Sequence, residues 1–352
     1  MGLVNIAVIG AGSISEAHLT AYQNNKNAKI YAICDLNLER ANAAALKYDA
    51  EKVFTDYNEL LRDPNIDAIS ICTWNNTHAE ITIAAVKAGK HVLTEKPLCK
   101  TVEEAIMVQR AVRQSGKIVQ VGFVRRFDPN TQLIRKFVDQ GEFGDIYYAK
   151  ASNLRRLGNP GGWFADTERS GGGPLIDIGV HVIDLCWYMM GKPKVKTISG
   201  NTYRKLGNRS NIKNLSFYQA ADYDASKNTV EDLANALIRF ENGASLYVDV
   251  SFTLHAQQNE DSVRMYGEKG SFEFGRELVM VTEKQDTIIN MHPQLDNKGF
   301  NFGAAFQNEI DHYVNCVIHQ VESLCPVEDG LEIMRMLCGI YESAAKGVEI
   351  QL

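Results

Sequence analysis

Asn5-Ile6-Ala7-Val8-Ile9-Gly10-Ala11-Gly12-Ser13-Ile14-Ser15 decides the fold. Residues 5–10 form a short apolar run that ends in glycine, and a helical stretch follows over about 15–25. A strand that breaks at Gly-x-Gly and re-forms as a helix is the arrangement that brings a backbone up to a pyrophosphate. The first glycine permits the tight turn, the second allows close approach, and the third small position lets helix pack on strand. Ser15 stands at that third position. The helix start then presents N–H groups and the positive end of its dipole to an anion.

Outward from this loop, strand and helix signals alternate. Apolar runs at 29–35, 67–73, 91–95 and 118–123 read as strands. Residues 38–48, 78–90 and 102–115 read as helices, two of them opened by capping-box patterns, Thr77 with Glu80 and Thr101 with Glu104. Apolar strands alternating with helices indicate a parallel sheet covered on both faces. Asp35 ends the second strand, near the acidic position expected about 20 residues beyond the glycine loop. Its carboxylate would accept hydrogen bonds from ribose hydroxyls and repel a 2′-phosphate, so NAD is expected rather than NADP.

After about residue 124 the pattern changes. Runs at 145–152, 194–202, 234–240, 244–252, 262–266, 271–274 and 278–282 read as strands, several joined by tight turns, and favour an antiparallel sheet. Helices are expected over 129–140, 175–190, 304–320 and 330–346, and residues 204–227 read as a long polar loop. The expected division is a dinucleotide-binding parallel α/β domain over 1–124 and a second, mostly antiparallel domain over 125–352.

The 352 residues, with 45% hydrophobic and 23% charged, have the balance of an ordinary globular protein with room for two domains. The net charge is −6 and no stretch concentrates Lys and Arg, which argues against a nucleic-acid or anionic-membrane surface. Seven cysteines lie scattered without C-x-x-C spacing, and Cys34, Cys72, Cys186 and Cys338 sit in apolar runs. They read as buried thiols of a reducing, cytoplasmic protein, and no metal site is expected.

Three further segments complete the pattern: Thr73-Trp74-Asn75-Asn76-Thr77-His78, Glu95-Lys96-Pro97, and Gly171-Gly172-Gly173-Pro174-Leu175-Ile176-Asp177-Ile178-Gly179-Val180-His181. With the glycine loop, in this order and over nearly the whole chain, they resemble the Gfo/Idh/MocA oxidoreductase family, named for glucose–fructose oxidoreductase and inositol dehydrogenase. The resemblance implies an α/β chain: a Rossmann domain followed by an α/β domain with a large, open, mostly antiparallel sheet, commonly the dimer contact. It implies a sugar, inositol-like cyclitol or related polyol held against the nicotinamide, a catalytic lysine at Lys96, partners at Asp177 and His181, and a cis Lys96–Pro97 bond. Gly10, Gly12, Ser13, Ile14, Asp35, Thr73, Asn75, His78, Glu95 and Lys96 are the expected cofactor contacts. Trp74 departs from the proline of many members, and Ser15 from their glycine or alanine.

From the residues alone, Asp177, His181, Asp184 and Tyr188 interrupt an apolar helix at i, i+4, i+7 and i+11, one polar stripe. Asp184 and Tyr188 read as structural. Asp177 and His181, near the glycine run, read as functional. An imidazole titrating near neutrality suits the base that takes a hydroxyl proton, with Lys96 stabilising the alkoxide. Alternatively Lys96 itself is the base, since burial and a nearby positive charge both favour a neutral amine. Arg126, Arg155 and Trp163 are candidates for substrate or domain-interface contact, and His18 is expected to pack within the first helix. The expected product is an NAD-dependent dehydrogenase of secondary hydroxyls, forming a homodimer or homotetramer. The alternatives are an NAD-retaining glycosidase and a non-catalytic sensor of NAD or sugar.

Overall fold

The computed structural model describes residues 2–352. The chain forms two compact units. The first runs to Asp128 and takes in Phe302–Met334; the second comprises Pro129–Asn301 and Arg335–Leu352.

The first unit is built on six parallel strands: β1 (Val4–Ile9), β2 (Ala28–Cys34), β3 (Lys52–Phe54), β4 (Ala68–Ile71), β5 (His91–Glu95) and β6 (Val119–Gly122). Their spatial order is β3-β2-β1-β4-β5-β6. The chain winds one way from β1 to β3 and the other way from β4, so the crevice between the carboxyl ends of β1 and β4 is a topological switch point, where such sheets bind ligands. Ile6, Val8, Ile69, Ile71, Val92 and Leu93 are fully buried, as expected for strands covered on both faces. Thr101 and Glu104 form the expected capping box on Val102–Ser115. Thr77 does not cap His78–Lys87: its hydroxyl donates to Trp74 O at 2.8 Å and pairs with the Thr73 hydroxyl at 2.7 Å, and Glu80 accepts from the Tyr57 hydroxyl instead. A 3₁₀ turn over Asn75–Thr77 has already used the position a cap would occupy.

The units differ from a contiguous division at residue 124. Helix Phe302–His319 turns Ile310, Tyr313, Val314 and Val317 into the same apolar cluster as Val8, Leu19 and Tyr22. A helix far along the chain thus completes the core under the first strand. The division falls inside the helix Val327–Lys346.

The second unit carries nine strands: β7 (Ile146–Leu154), β8 (Val195–Tyr203), β9 (Leu233–Phe240), β10 (Ser245–Ser251), β11 (Glu260–Gly267), β12 (Gly270–Phe274), β13 (Leu278–Lys284), β14 (Thr287–Met291) and β15 (Ile350–Gln351). They lie in the order β14-β13-β12-β11-β7-β10-β9-β8-β15, antiparallel except where β7 runs parallel to β10. Strands β3, β14 and β15 are too short or too polar to have been read from the sequence. Register separates the two faces. Ala149, Ala151, Ala236, Ile238, Leu246, Val248, Val263 and Met265 point to the core, where helix Val180–Met189 packs on β7 and β11. The opposite face carries Tyr203, Leu233, Leu237, Tyr247, Lys150 and Arg264, with Tyr148 and Tyr266 stacked at 5.5 Å. Residues 204–232 form neither helix nor strand, as expected for 204–227.

Candidate active site

Gly10 adopts φ +93°, and a Cβ there would lie 2.5 Å from the Cys72 carbonyl oxygen, so no other residue fits the turn between β1 and the helix Ser13–Asn24. Gly12 differs. A Cβ on it would meet no atom within 4 Å, so packing does not demand glycine. It keeps side-chain bulk out of the space before the helix start, and it offers that helix no side-chain cap. Ser15 is buried and donates to Gly12 O at 2.6 Å, which satisfies its hydroxyl within the loop. Asp35 is anchored beside the loop: Oδ2 accepts from Ala11 N and Oδ1 from Asn37 N, both at 2.8 Å. Oδ2 also faces the Arg40 guanidinium at 3.7 Å, and Oδ1 keeps a second lone pair for a further donor. Turn, open helix start and acidic acceptor together fit a dinucleotide; Ile14 packs beneath them on the core.

The other expected cofactor residues gather at the carboxyl ends of β4 and β5. His78 is fully buried, with Nδ1 2.7 Å from Pro97 O and Nε2 3.2 Å from Thr73 O, so it ties the loop after β4 to the loop after β5. Burial is the main cause that pushes its pKa below the usual histidine value. Asn75 is buried on the same turn, and Trp74 is exposed. The Lys96–Pro97 bond is cis, as expected. Within residues 91–99, Lys96 is the one that is not buried.

Beneath Lys96 lies a polar cluster that the sequence did not reveal. Glu95 is buried; its Oε1 lies 2.8 Å from His18 Nε2, and its Oε2 accepts from Lys96 N at 3.2 Å. His18 Nδ1 stands 3.3 Å from Ser70 Oγ, which pairs with the Tyr22 hydroxyl at 2.7 Å. Burial alone would push the His18 pKa down. Cys72 and the Glu95 carboxylate outweigh it and hold it well above the usual value. Burial would push Glu95 up, but His18 holds it below the usual carboxylate range. Glu309, from helix Phe302–His319, faces this pair and is pushed well up, first by burial and then by the Glu95 charge. His18 is thus one half of an ion pair as well as a core residue of the first helix.

In the second unit, the glycine run leads into a π-turn, Leu175–Gly179, in which Val180 N donates to Leu175 O. The α-helix Val180–Met189 continues from it. The wider turn departs from the uniform α-helix expected over 175–190, and π-turns are frequent at functional sites. Over residues 172–190, Asp177 and His181 are the two that are not buried; Asp184 and Tyr188 are enclosed.

Arg126, an expected substrate contact, is enclosed by the fold instead. It is 1% exposed, donating to Asp329 Oδ2 at 2.6 Å and Leu324 O at 2.9 Å, over the Phe123 ring. Its charge is consumed by a carboxylate about two hundred positions away. Arg155 is half-buried and donates to Gly158 O at 3.3 Å. Trp163 is half-buried, its ring 3.9 Å from that of Phe164. Among the described residues no three His, Cys, Asp or Glu side chains form a metal cluster, and no helix is long and apolar enough to cross a membrane.

Residues 4–123 match the family model described as the oxidoreductase family with NAD-binding Rossmann fold, and residues 131–273 match the GFO/IDH/MocA C-terminal domain. The D-glucoside 3-dehydrogenase of Escherichia coli is 32% identical, over 99% of this chain and 97% of its own length. The NAD(+)-linked scyllo-inositol 2-dehydrogenase of Bacillus subtilis is 29% identical, over 89% of this chain and 86% of its own. The structure of levoglucosan dehydrogenase in complex with NADH and L-sorbose superposes with a TM-score of 0.87 at 25% identity, covering 100% of this chain and 99% of that one. Sequence match, sheet order and glycine-loop geometry agree: the chain belongs to the Gfo/Idh/MocA family of NAD-binding oxidoreductases.

Proposed function

We propose that the chain is a dehydrogenase that oxidises a secondary hydroxyl of a sugar, cyclitol or related polyol with NAD in preference to NADP. One observation carries this reading: in two otherwise buried segments, the residues left accessible are Lys96 in the first and Asp177 and His181 in the second. An imidazole can accept the hydroxyl proton, an amine can donate to the reacting oxygen, and a carboxyl can bind neighbouring hydroxyls. NAD bound at the glycine loop supplies the hydride acceptor. His181 takes the hydroxyl proton as general base, the role that imidazole side chains fill most often. Lys96 donates a hydrogen bond to the reacting oxygen and stabilises the alkoxide charge as it develops. Asp177, one turn before His181, binds substrate or holds the imidazole in line. The proton leaves through His181, the carbon loses its hydride, and the product is a ketone.

Asp35 supports the cofactor preference, since a carboxylate held by two backbone N–H groups beside the loop favours a free ribose diol over a 2′-phosphate. The relatives named for sugar and inositol oxidation support the substrate class. The aromatic outer face of the nine-stranded sheet supports a homodimer or homotetramer, and the free cysteines support a reducing, cytoplasmic setting. The experiment is a panel of inositols, aldoses, alkyl glucosides, anhydrosugars and sugar phosphates, each offered with NAD and with NADP. NADH formation on a free polyol or glycoside is expected. Tight NAD binding with no turnover on any of them would contradict the reading.

A further inference from the structure

We propose that Glu231 is a positioning residue that sets the π-turn carrying Asp177 and leading into His181; the inference rests on the dehydrogenase reading above. Glu231 is 2% exposed and stands just before β9. Its Oε2 accepts from Gly173 N at 2.9 Å, and its Oε1 accepts from Leu175 N at 3.2 Å and from the Tyr341 hydroxyl at 2.8 Å. The first turn of a helix leaves four N–H groups without partners inside the helix. Here a carboxylate more than fifty positions away takes two N–H groups at that entry and adds a negative charge at the positive end of the dipole. Tyr341 is half-buried, and desolvation of its hydroxyl followed by the Glu231 charge pushes its pKa well up, so it remains a donor.

The glycine run gains a reason from the same contacts. A Cβ on Gly173 would lie 2.5 Å from the Glu231 carbonyl oxygen, and one on Gly172 would lie 2.0 Å from the Tyr341 hydroxyl. Three distant stretches of chain therefore close on the turn that aims the two accessible polar residues of a buried helix. Capping alone does not account for this. A local Ser, Thr or Asp satisfies helix N–H groups without burying a remote carboxylate, whereas a buried charge carries a desolvation cost of several kcal/mol. What the remote carboxylate adds is a fixed entry geometry. Misplacement of reacting groups by about 1 Å is enough to lose about 10²-fold in rate.

The test compares parent, Glu231→Gln and Tyr341→Phe on a substrate from the polyol panel, each at a temperature where circular dichroism shows native protein. Glu231→Gln keeps the volume but replaces one acceptor oxygen with a donor. Its kcat is expected to fall about 10²-fold, with NADH affinity unchanged and the pH profile of kcat displaced. Tyr341→Phe removes one donor and is expected to lose about fivefold, the worth of one ordinary hydrogen bond. Parent kcat and parent pH profile in native Glu231→Gln would overturn the proposal. If Glu231→Gln does not fold, Tyr341→Phe decides, and parent kcat there would overturn it. If the parent oxidises no polyol, the functional reading fails separately, and amide exchange then tests the positioning. Faster exchange at Gly173, Leu175 and Asp177 in either variant supports it, and unchanged exchange overturns it.

Discussion

Asp35 and Arg126 show how differently single residues can be read. Asp35 was legible because its role depends on spacing from a glycine loop in the same βαβ unit. The structure puts its carboxylate within 2.8 Å of Ala11 N. Asp35→Ala should relax the cofactor preference by removing both the ribose acceptor and the repulsion of a 2′-phosphate. The check is the ratio of kcat/KM for NAD to that for NADP; an unchanged ratio would remove Asp35 from the selectivity account. Arg126 was not legible, because nothing near it in the chain announces Asp329 or the Leu324 carbonyl. Removing one partner of a buried pair leaves an uncompensated charge, so Arg126→Ala should cost about 3–5 kcal/mol, read from the urea midpoint. A loss under about 1 kcal/mol, typical of an exposed pair, would show that the pair is not buried in solution. Glu231 is illegible for the same reason as Arg126: its partners Gly173, Leu175 and Tyr341 all lie far away in sequence.

At the scale of elements, long apolar segments with clean periodicity were readable, and helices Leu38–Tyr48 and Val102–Ser115 and strand His91–Glu95 fall on their expected bounds. Short or locally overridden elements were not. The 3₁₀ turn Asn75–Thr77 displaces the cap expected at Thr77, and the π-turn Leu175–Gly179 leaves no trace in an apolar pattern that suits any helix. The meeting of helix Ser13–Asn24 with the end of β5, through His18 and Glu95, has a thermodynamic consequence. His18 is held well above its usual pKa and Glu95 below its own. The His18 contribution is therefore complete below the unfolded histidine value of about 6.5 and is lost as pH rises through the raised one. The Glu95 contribution is complete above about 4.3 and is lost as pH falls through the lowered value. His78, His91 and His312 are depressed, chiefly by burial, and act in the opposite sense. Glu309, facing the pair, is pushed well above the usual carboxylate value, first by burial and then by the Glu95 charge. The stability difference between parent and His18→Gln isolates the pair from the depressed histidines. It should shrink as pH climbs above neutrality, measured by urea unfolding at several pH values, and a difference independent of pH would dissolve the ion-pair assignment.

At the scale of the whole molecule, the glycine loop, the Glu-Lys-Pro turn and the Asp-x-Gly-x-His helix were enough to indicate two folds in order. They did not reveal that residues 302–334 return to the first unit, since that packing is decided by which apolar face a helix finds, not by its own pattern. The outer face of the nine-stranded sheet, with Tyr203, Tyr247 and the stacked Tyr148 and Tyr266, offers an aromatic surface that a two-fold copy can cover. Sedimentation at micromolar concentration should therefore give a dimer or tetramer, and a monomer would leave that face unexplained. On the proposed reading, Lys96 and His181 serve one reaction. The direct measurement is single-turnover and steady-state kinetics of Lys96→Ala and His181→Ala on a substrate that the parent oxidises. Each should lose about 10²–10⁴-fold in kcat, the usual worth of a positioned proton-transfer group, with NAD affinity kept in His181→Ala and lowered far less than kcat in Lys96→Ala. Turnover of His181→Ala near the parent rate with the same pH profile would remove it as the base, and the same result for Lys96→Ala would contradict the whole assignment.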